Sequence, residues 1–150
     1  MGSTLKDDML YMGIAQAAAT MSVDPKHQVG CAIVTPDDMI TLGWNGTPPG
    51  HDNETRVPKL VRCEHGTLQL QMATKPTVMH AEFNALTKFS GSTASAENAR
   101  LYTTHSPCVS CALVAIRAKI REVVYQHVYE ASDGRHILSD AGIKVRQIRG

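Results

Sequence analysis

The sequence predicts an α/β protein with three layers, in which a central mixed five-stranded sheet carries helices on both faces. An early pair of strand-like runs around a short turn predicts an antiparallel hairpin. From residue 80 onwards, helical and strand-like runs alternate, which is typical of parallel strands joined by helices. The chain has 150 residues, enough for a full core, and we expect a single domain over residues 1–150.

The N-terminal part is predicted to form a helix and then the hairpin. Residues 4–21 have apolar side chains at helical spacing, and Ser3 or Thr4 can cap the helix. The apolar face comprises Leu5, Met9, Met12, Ile14, Ala15, Ala18 and Ala19. Residues 28–35 and 39–44 are rich in strand-forming side chains and are separated by a short polar turn.

The middle of the chain has the weakest periodicity. Residues 45–59 are predicted to form a long loop, because glycine and proline recur in them. Further on, an alternation of apolar side chains is formed by Leu68, Leu70 and Met72. Because Gly66 and Pro76 interrupt this pattern, we expect residues 60–79 to be an insertion or an irregular segment.

The second half supplies the alternating elements. Helices are predicted over residues 80–89, 108–119 and 133–141, and strands over residues 100–103, 122–126 and 143–148. The first of these helices has Phe83 and Leu86 at apolar spacing, Pro107 precedes the second, and Gly142 follows the third. A small polar loop at residues 90–98 separates the first helix from the next strand.

The composition favours an ordinary globular protein with a small-molecule substrate. Hydrophobic residues make up 43% and charged residues 19% of the chain. The formal net charge of +1 gives no electrostatic footprint for nucleic acid, and no apolar run reaches the length of a membrane span. The four cysteines do not resemble a disulfide framework, and the N-terminus lacks a signal-peptide core, so we expect a cytoplasmic location.

Two short segments carry the predicted chemistry. His80 and Glu82 lie in the first, and Pro107, Cys108 and Cys111 lie in the second. One imidazole and two thiols form a ligand set that zinc favours, and three protein ligands leave a fourth position open for water. Zinc makes such a water acidic enough to supply a hydroxide nucleophile, and Glu82 can carry its protons. The order H-x-E and then P-C-x-x-C is typical of zinc-dependent nucleobase deaminases.

Other interpretations of these segments remain open. A C-x-x-C pair also occurs in redox proteins and in structural zinc sites, and H-x-E is common by chance. A closed structural site would need a fourth ligand, for which Cys63 and His65 are the candidates. Cys31 lies in an apolar run and is expected to be a buried small hydrophobic residue.

Further segments extend these two into a wider pattern. The segments are Asp24-Pro25 with Gln28-Val29-Gly30, Gly43-Trp44-Asn45-Gly46, His80-Ala81-Glu82-Phe83-Asn84-Ala85, Pro107-Cys108-Val109-Ser110-Cys111, and Tyr129 to Asp133. Together they resemble the deoxycytidylate (dCMP) deaminase family within the cytidine deaminase superfamily. The resemblance covers most of the chain, is weakest over residues 60–75, and implies a three-layer α-β-α cytidine-deaminase-like fold.

The resemblance implies a function, partners and regulation. Members of the family use zinc to hydrolyse dCMP to dUMP, which feeds thymidylate synthesis. They form homo-oligomers, commonly hexamers, and are often activated by dCTP and inhibited by dTTP, with Mg²⁺ accompanying the triphosphate. Short members also occur in bacteriophages, which would place the protein in a host cytoplasm. Residues 51–54 depart from the family pattern in a region that belongs to effector binding in regulated members.

Site residues follow from the motifs and the resemblance together. We expect His80, Cys108 and Cys111 to hold zinc and Glu82 to act as both base and acid. Substrate contacts are predicted for Asn45, His105, Tyr129 and Lys26, with Arg117 as a further cation, and effector contacts for Gly43, Trp44, Asn45 and Gly46. For each substrate residue a structural role is the alternative, such as a turn for Asn45 or a solvated surface charge for Lys26.

Two other classes of function compete with this interpretation. One is a different zinc deaminase that acts on cytidine, a free nucleobase or tRNA adenosine, and the near-neutral charge argues against tRNA. The other is a non-catalytic zinc-binding or nucleotide-binding module. Glu82 argues against that module, because a structural metal site has no need of its carboxylate.

Overall fold

The computed structural model describes residues 3–149, which form four α-helices and seven β-strands. The helices are α1 (Leu5–Ala19), α2 (Ala81–Thr87), α3 (Val109–Arg117) and α4 (Arg135–Asp140). The strands are β1 (Gly30–Val34), β2 (Ile40–Trp44), β3 (Arg56–Arg62), β4 (Leu68–Thr74), β5 (Arg100–His105), β6 (Glu122–His127) and β7 (Lys144–Gln147). None of these helices is long and apolar enough to cross a membrane.

Five of the strands form the central sheet, in the order β2-β1-β5-β6-β7. Strand β1 pairs antiparallel with β2 and with β5, whereas β6 pairs parallel with β5 and with β7. The predicted mixed five-stranded sheet is therefore confirmed. Its strands and helices have the predicted order, with ends that differ from the predictions by a few residues.

Helices cover both faces of this sheet, as the sequence predicts. On one face, α1 packs through a cluster of Tyr11, Met12, Ala15, Ala32, Val34, Tyr102 and Val124. On the other face, α2, α3 and α4 pack through a cluster that includes Ala85, Ala115, Leu138, Ile33, Leu101 and Val123. Parallel strands are joined by right-handed crossovers, and both crossovers proceed in the same direction across the sheet, so α3 and α4 reach the same face.

Two glycines allow helices to approach the sheet closely. A Cβ atom at Gly30 would lie 1.9 Å from the carbonyl oxygen of Ala15 in α1, and one at Gly43 would lie 2.2 Å from that of Ala81 in α2. Both distances are far below van der Waals contact, so any side chain would push the helix away. Gly43 therefore sets the position of the N-terminus of α2, where His80 lies.

The predicted apolar face of α1 is wrong at two positions. Leu5 and Met9 belong to the predicted apolar face, but their side chains are 76% and 69% exposed. The buried stripe instead includes Asp8, whose carboxylate turns inward to the guanidinium of Arg146. A stripe through position 8 leaves position 9 on the outer side of the helix. The predicted cap is found at Thr4, whose hydroxyl accepts a hydrogen bond from the backbone N–H of Asp7.

The middle of the chain is more regular than predicted. Strands β3 and β4 pair antiparallel in a separate two-stranded sheet, so the long loop ends at residue 55 and the prediction of an irregular segment over residues 60–79 is wrong as far as Thr74. Gly66 has a φ of 80° in the connecting turn, where glycine is favoured, and Pro58 lies within β3. A two-stranded ribbon has no interior strand, which is why proline is tolerated there.

Candidate metal centre and active site

Two helix N-termini bring the predicted metal ligands together. His80 is the N-cap residue of α2, Cys108 is the N-cap residue of α3, and Cys111 lies in the first turn of α3. The Nδ1 atom of His80 lies 3.3 Å from Sγ of Cys108 and 3.5 Å from Sγ of Cys111. Their ligand atoms all lie within 4.8 Å of one another. In residues 3–149 no other group of three or more His, Cys, Asp or Glu meets this criterion, so Cys63 and His65 belong to no such cluster.

The protonation of these three groups fits a cation site. The pKa of Cys108 is lowered to about 4, first by a hydrogen bond from the Cys111 side chain and then, against burial, by His80. The pKa of Cys111 is raised, first by the same hydrogen bond, and that of His80 is raised, first by its hydrogen bond to Cys108. A divalent cation would compete with protons for these three ligands. One nitrogen and two sulfur ligands are the donor set of zinc.

Glu82 lies beside this centre and is almost completely buried. It lines the same cavity as His80 and Cys108, with an exposed fraction of 4%. Its Oε1 atom accepts a hydrogen bond of 2.9 Å from the hydroxyl of Thr103 in β5. Burial is the main reason why the pKa of Glu82 is raised, and the Thr103 hydrogen bond opposes the increase. A carboxyl group with a raised pKa can both accept and donate a proton near neutral pH.

The cavity is built from several separate segments of the chain. Its lining comprises Asp24, His27, Val29, Asn45, Thr74, Val78, His80, Ala81, Glu82, His105, Ser106, Cys108 and Tyr129. Loop residues before β1 form one wall, and the end of β4 contributes Thr74. The β3–β4 hairpin therefore reaches the site, which could not be predicted from a segment considered irregular.

Three of the four residues predicted to contact substrate line this cavity. The amide of Asn45 is used by the backbone, since Oδ1 accepts from the N–H of Val29 at 2.9 Å and Nδ2 donates to the carbonyl of His27 at 2.7 Å. His105 has Nδ1 3.0 Å from the hydroxyl oxygen of Thr104. The backbone N–H of Tyr129 donates to the hydroxyl of Ser106 at 2.7 Å. These contacts hold the wall in place, and the substrate contacts of all three side chains stay predictions.

The structure does not bring the two predicted cations into the cavity. Lys26 is exposed and is not among the residues that line it. Arg117 is exposed at the last residue of α3, whereas Cys108 lies at the opposite end of that helix. Any contact of these side chains with a bound phosphate stays a prediction.

The segment predicted to bind effectors has clear structural contacts. Trp44 accepts a hydrogen bond at its carbonyl from the amide of Asn84, at 2.7 Å, and its ring lies 5.5 Å from the ammonium of Lys88. The backbone N–H of Gly46 donates to the carbonyl of Met79 at 3.1 Å. Residues 43–46 therefore hold the chain immediately before His80.

Sequence reasoning missed three residues of the site. Thr103 gave no signal, because its approach to Glu82 depends on how β5 lies beneath α2. Asp24 lay in a recognised segment, but its role was not foreseen: Oδ1 accepts from the N–H groups of Lys26 and His27, at 2.8 and 2.9 Å. Asp24 thus forms an Asx turn with the N–H groups two and three residues later. An aspartate at the start of a polar loop is the sequence signal that could have predicted this turn. His27, which lines the cavity, was seen only as part of a polar loop.

Residues 5–127 match the family model of the cytidine and deoxycytidylate deaminase zinc-binding region. The chain belongs to this deaminase family. The matched range contains both motifs of the metal centre, including His80, Cys108 and Cys111.

Individual deaminases of known identity are similar over nearly the whole chain. Human deoxycytidylate deaminase is 31% identical in an alignment that covers 95% of this chain and 82% of that protein. The enzyme of Saccharomyces cerevisiae is 35% identical over 93% of this chain, which spans only 44% of the yeast protein. The solved structure of cyanophage S-TIM5 dCMP deaminase with dCMP and dUMP has a TM-score of 0.84 and 32% identity, and the match covers 98% of this chain and 100% of that one.

Proposed function

We propose that this chain hydrolyses dCMP to dUMP and ammonia. The observation that carries the proposal is the buried carboxylate of Glu82 in one cavity with the cluster of His80, Cys108 and Cys111. A structural metal site would not require an acidic side chain at that place. The cyanophage relative was solved with dCMP and dUMP, and this supports the choice of substrate.

Three side chains are proposed to hold the metal. His80, Cys108 and Cys111 would bind zinc, which, when bound, supplies an acidified water as the source of the attacking hydroxide. Cys108 favours the thiolate state that such binding needs, because its pKa is lowered, whereas zinc would have to displace the proton of Cys111, whose pKa is raised. The chain offers no fourth ligand in this cluster within residues 3–149, which keeps a position open for water.

Glu82 is proposed to move the protons of the reaction. Its carboxylate accepts a proton from the attacking water and passes one to N3 of the cytosine ring as oxygen bonds to C4. It then takes the proton of the new hydroxyl on C4 and delivers it to the 4-amino group as the C4–N bond breaks, so that ammonia leaves and the carbonyl of uracil forms. Thr103 holds the carboxylate in position for these steps.

Substrate contacts are proposed for the predicted residues of the cavity. Asn45 uses only part of its hydrogen-bonding capacity on the backbone, so one amide hydrogen remains for the sugar 3′-hydroxyl. His105 and Tyr129 line the cavity, where they can contact the nucleotide. Lys26 is proposed to act from the surface, as a cation that attracts the phosphate over a distance.

Regulation and assembly extend the proposal beyond the single site. We infer a single catalytic domain over residues 1–150 that forms homo-oligomers, with hexamers as the expected state. The G-W-N-G segment, residues 43–46, is the proposed place of effector contact, with dCTP as activator, dTTP as inhibitor and Mg²⁺ bound to the triphosphate. The proposed location is the cytoplasm, or the host cytoplasm for a bacteriophage protein.

A substrate panel tests the function directly. Zinc-loaded protein should release ammonia from dCMP faster than from cytidine or cytosine, and should leave a tRNA anticodon stem unchanged. A chelator should abolish the release, and added zinc should restore it. If another of these substrates is deaminated faster, that substrate replaces dCMP in the proposal. If none of them releases ammonia, the non-catalytic alternative is supported. Adding dCTP or dTTP to the dCMP assay tests regulation.

A further inference from the structure

The loop between β6 and α4, residues 128–134, lies against the segment that carries the two thiols. The backbone N–H of Gly134 donates to the carbonyl of Pro107 at 2.9 Å. The hydroxyl of Ser132 accepts from the backbone N–H of Val109 at 3.2 Å. Pro107 and Val109 are the two neighbours of Cys108 along the chain. The β6–α4 loop therefore holds the backbone on both sides of a predicted metal ligand.

Gly134 is the point at which this loop approaches α3 most closely. Its φ of −93° and ψ of 1° are open to most residues, so the backbone conformation does not require glycine. A Cβ atom at this position would lie 2.6 Å from the carbonyl oxygen of Cys108 and 2.7 Å from Cβ of Ala112. That oxygen accepts the N–H of Ala112 at 2.9 Å, in the first turn of α3. Neither neighbour is a flexible side chain, so an alanine at position 134 would push this turn away by several tenths of an ångström.

Ser132 caps the first turn of α3 from outside the helix. The first N–H groups of a helix have no partner within it. In α3 the N–H of Cys111 donates to Sγ of Cys108 at 3.4 Å, whereas the N–H of Val109 donates to Ser132. One donor of the turn thus contacts a thiol ligand directly, and another is held by the β6–α4 loop. The orientation of the turn, and with it the position of both thiols, depends on this loop.

We propose that Ser132 and Gly134 are positioning residues for the thiols of Cys108 and Cys111, an inference that rests on the zinc centre proposed above. Both thiols belong to one helical turn, so a shift of that turn moves them together relative to His80. His80 lies on α2 and is held separately, by the backbone pairing between residues 46 and 79. Metal–ligand distances in a built site stay within about 0.2 Å of their usual values. A displacement of several tenths of an ångström would therefore weaken the binding of zinc.

Zinc affinity tests this role without any turnover. Competition with a chromophoric zinc chelator gives the Kd of zinc for wild type, Gly134→Ala, Ser132→Ala and Ser132→Thr. Groups that orient metal ligands contribute about 10- to 100-fold to metal affinity, so we expect the Kd of Gly134→Ala to rise by at least about tenfold. Ser132→Ala should raise it by a smaller factor, because water can replace the exposed hydroxyl. Ser132→Thr keeps the hydroxyl and should restore the wild-type Kd.

Two substitutions of the same kind elsewhere in the chain are the matched controls. Gly13→Ala adds a methyl group at a position where no atom lies within 4 Å. Ser95→Ala removes a hydroxyl that accepts from the backbone N–H of Glu97 at 3.1 Å, before β5 and at the opposite end of that strand from Cys108. Both controls should bind zinc with the wild-type Kd. A rise in these variants equal to that in Gly134→Ala and Ser132→Ala would overturn the proposal.

Two further measurements separate positioning from support of the fold alone. Urea denaturation of the metal-free variants gives their stability. Lowered stability with an unchanged zinc Kd would show that both residues only support the fold, and would overturn the proposal. Cobalt(II), bound in place of zinc, absorbs visible light in a way that depends on its ligand geometry. The spectrum of fully loaded Gly134→Ala should differ from that of wild type, and identical spectra would overturn the proposed displacement.

The outcome for the positioning residues is distinct from the outcome for the enzyme. If wild type binds zinc but releases no ammonia from dCMP, the deaminase function falls, yet a raised Kd in the loop variants would still support positioning. If Gly134→Ala does not fold, Ser132→Ala and Ser132→Thr decide: equal Kd values for Ser132→Ala and wild type would overturn the proposal. Failure of wild type to bind zinc would overturn both the metal centre and this inference.

Discussion

The hydroxyl of Thr103 lies 2.9 Å from Oε1 of Glu82 and 2.8 Å from the carbonyl oxygen of His105. One hydroxyl proton thus serves two acceptors, one on the proposed catalytic residue and one on the segment that leads to Cys108. Thr103 is fully buried in the central strand β5, so its position is fixed by the sheet. This contact connects the rigid core of the fold with the acid–base group of the site.

Replacing Thr103 by valine should shift the pH dependence of activity. Burial raises the pKa of Glu82, while the hydrogen bond from Thr103 lowers it, so removal of the hydroxyl raises this pKa further. Glu82 must be ionised to accept the proton of water, and the acidic limb of kcat/KM should therefore move to higher pH. Thr103→Ser keeps a hydroxyl and serves as the control. Coinciding acidic limbs for Thr103→Val and wild type would exclude this role.

The interaction of Arg146 with two buried carboxylates should be important for stability. Its Nη1 donates to Asp8 at 3.0 Å and its Nε donates to Glu122 at 2.8 Å, and both acidic residues are buried. Arg146→Met leaves two carboxylates without their cation, so we expect a loss of about 3 kcal/mol in the free energy of unfolding. Urea denaturation measures it. Lys119→Met, which removes an exposed pair with Glu97, should change little. Similar unfolding midpoints for the two variants would contradict the expectation.

Asp8 should make stability depend on pH in acid. Burial raises the pKa of Asp8, but hydrogen bonds from Arg146, Tyr102 and Ser3 outweigh it, so the pKa falls below its usual value. A carboxyl with a lowered folded-state pKa contributes stability above the unfolded-state value and loses it as pH falls through the folded-state value. The difference in unfolding free energy between wild type and Asp8→Asn should thus shrink below about pH 4. A constant difference between pH 7 and pH 3 would rule this out.

Metal content should distinguish the proposed centre from the hairpin cysteine. We expect one zinc per chain, because His80, Cys108 and Cys111 form the one cluster found among residues 3–149. Cys63 lies in the turn between β3 and β4, so Cys63→Ser should keep that ratio. Cys111→Ser should lower it and should reduce thermal stability in the presence of zinc. A ratio near two in wild type that falls to one in Cys63→Ser would reveal a second metal.

The metal centre could be predicted because its determinants are local. The N-cap position of Cys108 and the i, i+3 spacing to Cys111 follow from Pro107 and the helical pattern behind it. His80 likewise occupies the N-cap position of α2, directly before the helical pattern begins. The alternation of helices and strands in the second half of the chain predicts parallel strands, and the early hairpin adds antiparallel ones. The observed sheet combines both.

Other features depend on contacts that the local pattern does not carry. Strand β4 exposes Leu68 and Leu70, so the side chains that suggested a strand do not face a core, and the ribbon remained unrecognised. Met9 is apolar yet points outward. The helix is oriented so that Asp8 faces Arg146, and the next residue along the helix then lies on the exposed side. The hydrogen bond between Thr103 and Glu82 forms only when β5 is placed beside β1 in the sheet. Contacts between segments that are far apart in the sequence cannot be predicted from local patterns and become visible only in the folded structure.

The most direct measurement is the rate of ammonia release from dCMP by Glu82→Gln, compared with wild type at equal zinc content. The amide keeps the shape of the side chain but cannot accept the proton of water. We expect zinc binding to be retained and turnover to fall by a factor of at least about 10² to 10⁴, the usual contribution of general acid–base catalysis. Near-native ammonia release by the zinc-loaded variant would contradict the proposed role of Glu82 and the mechanism built on it.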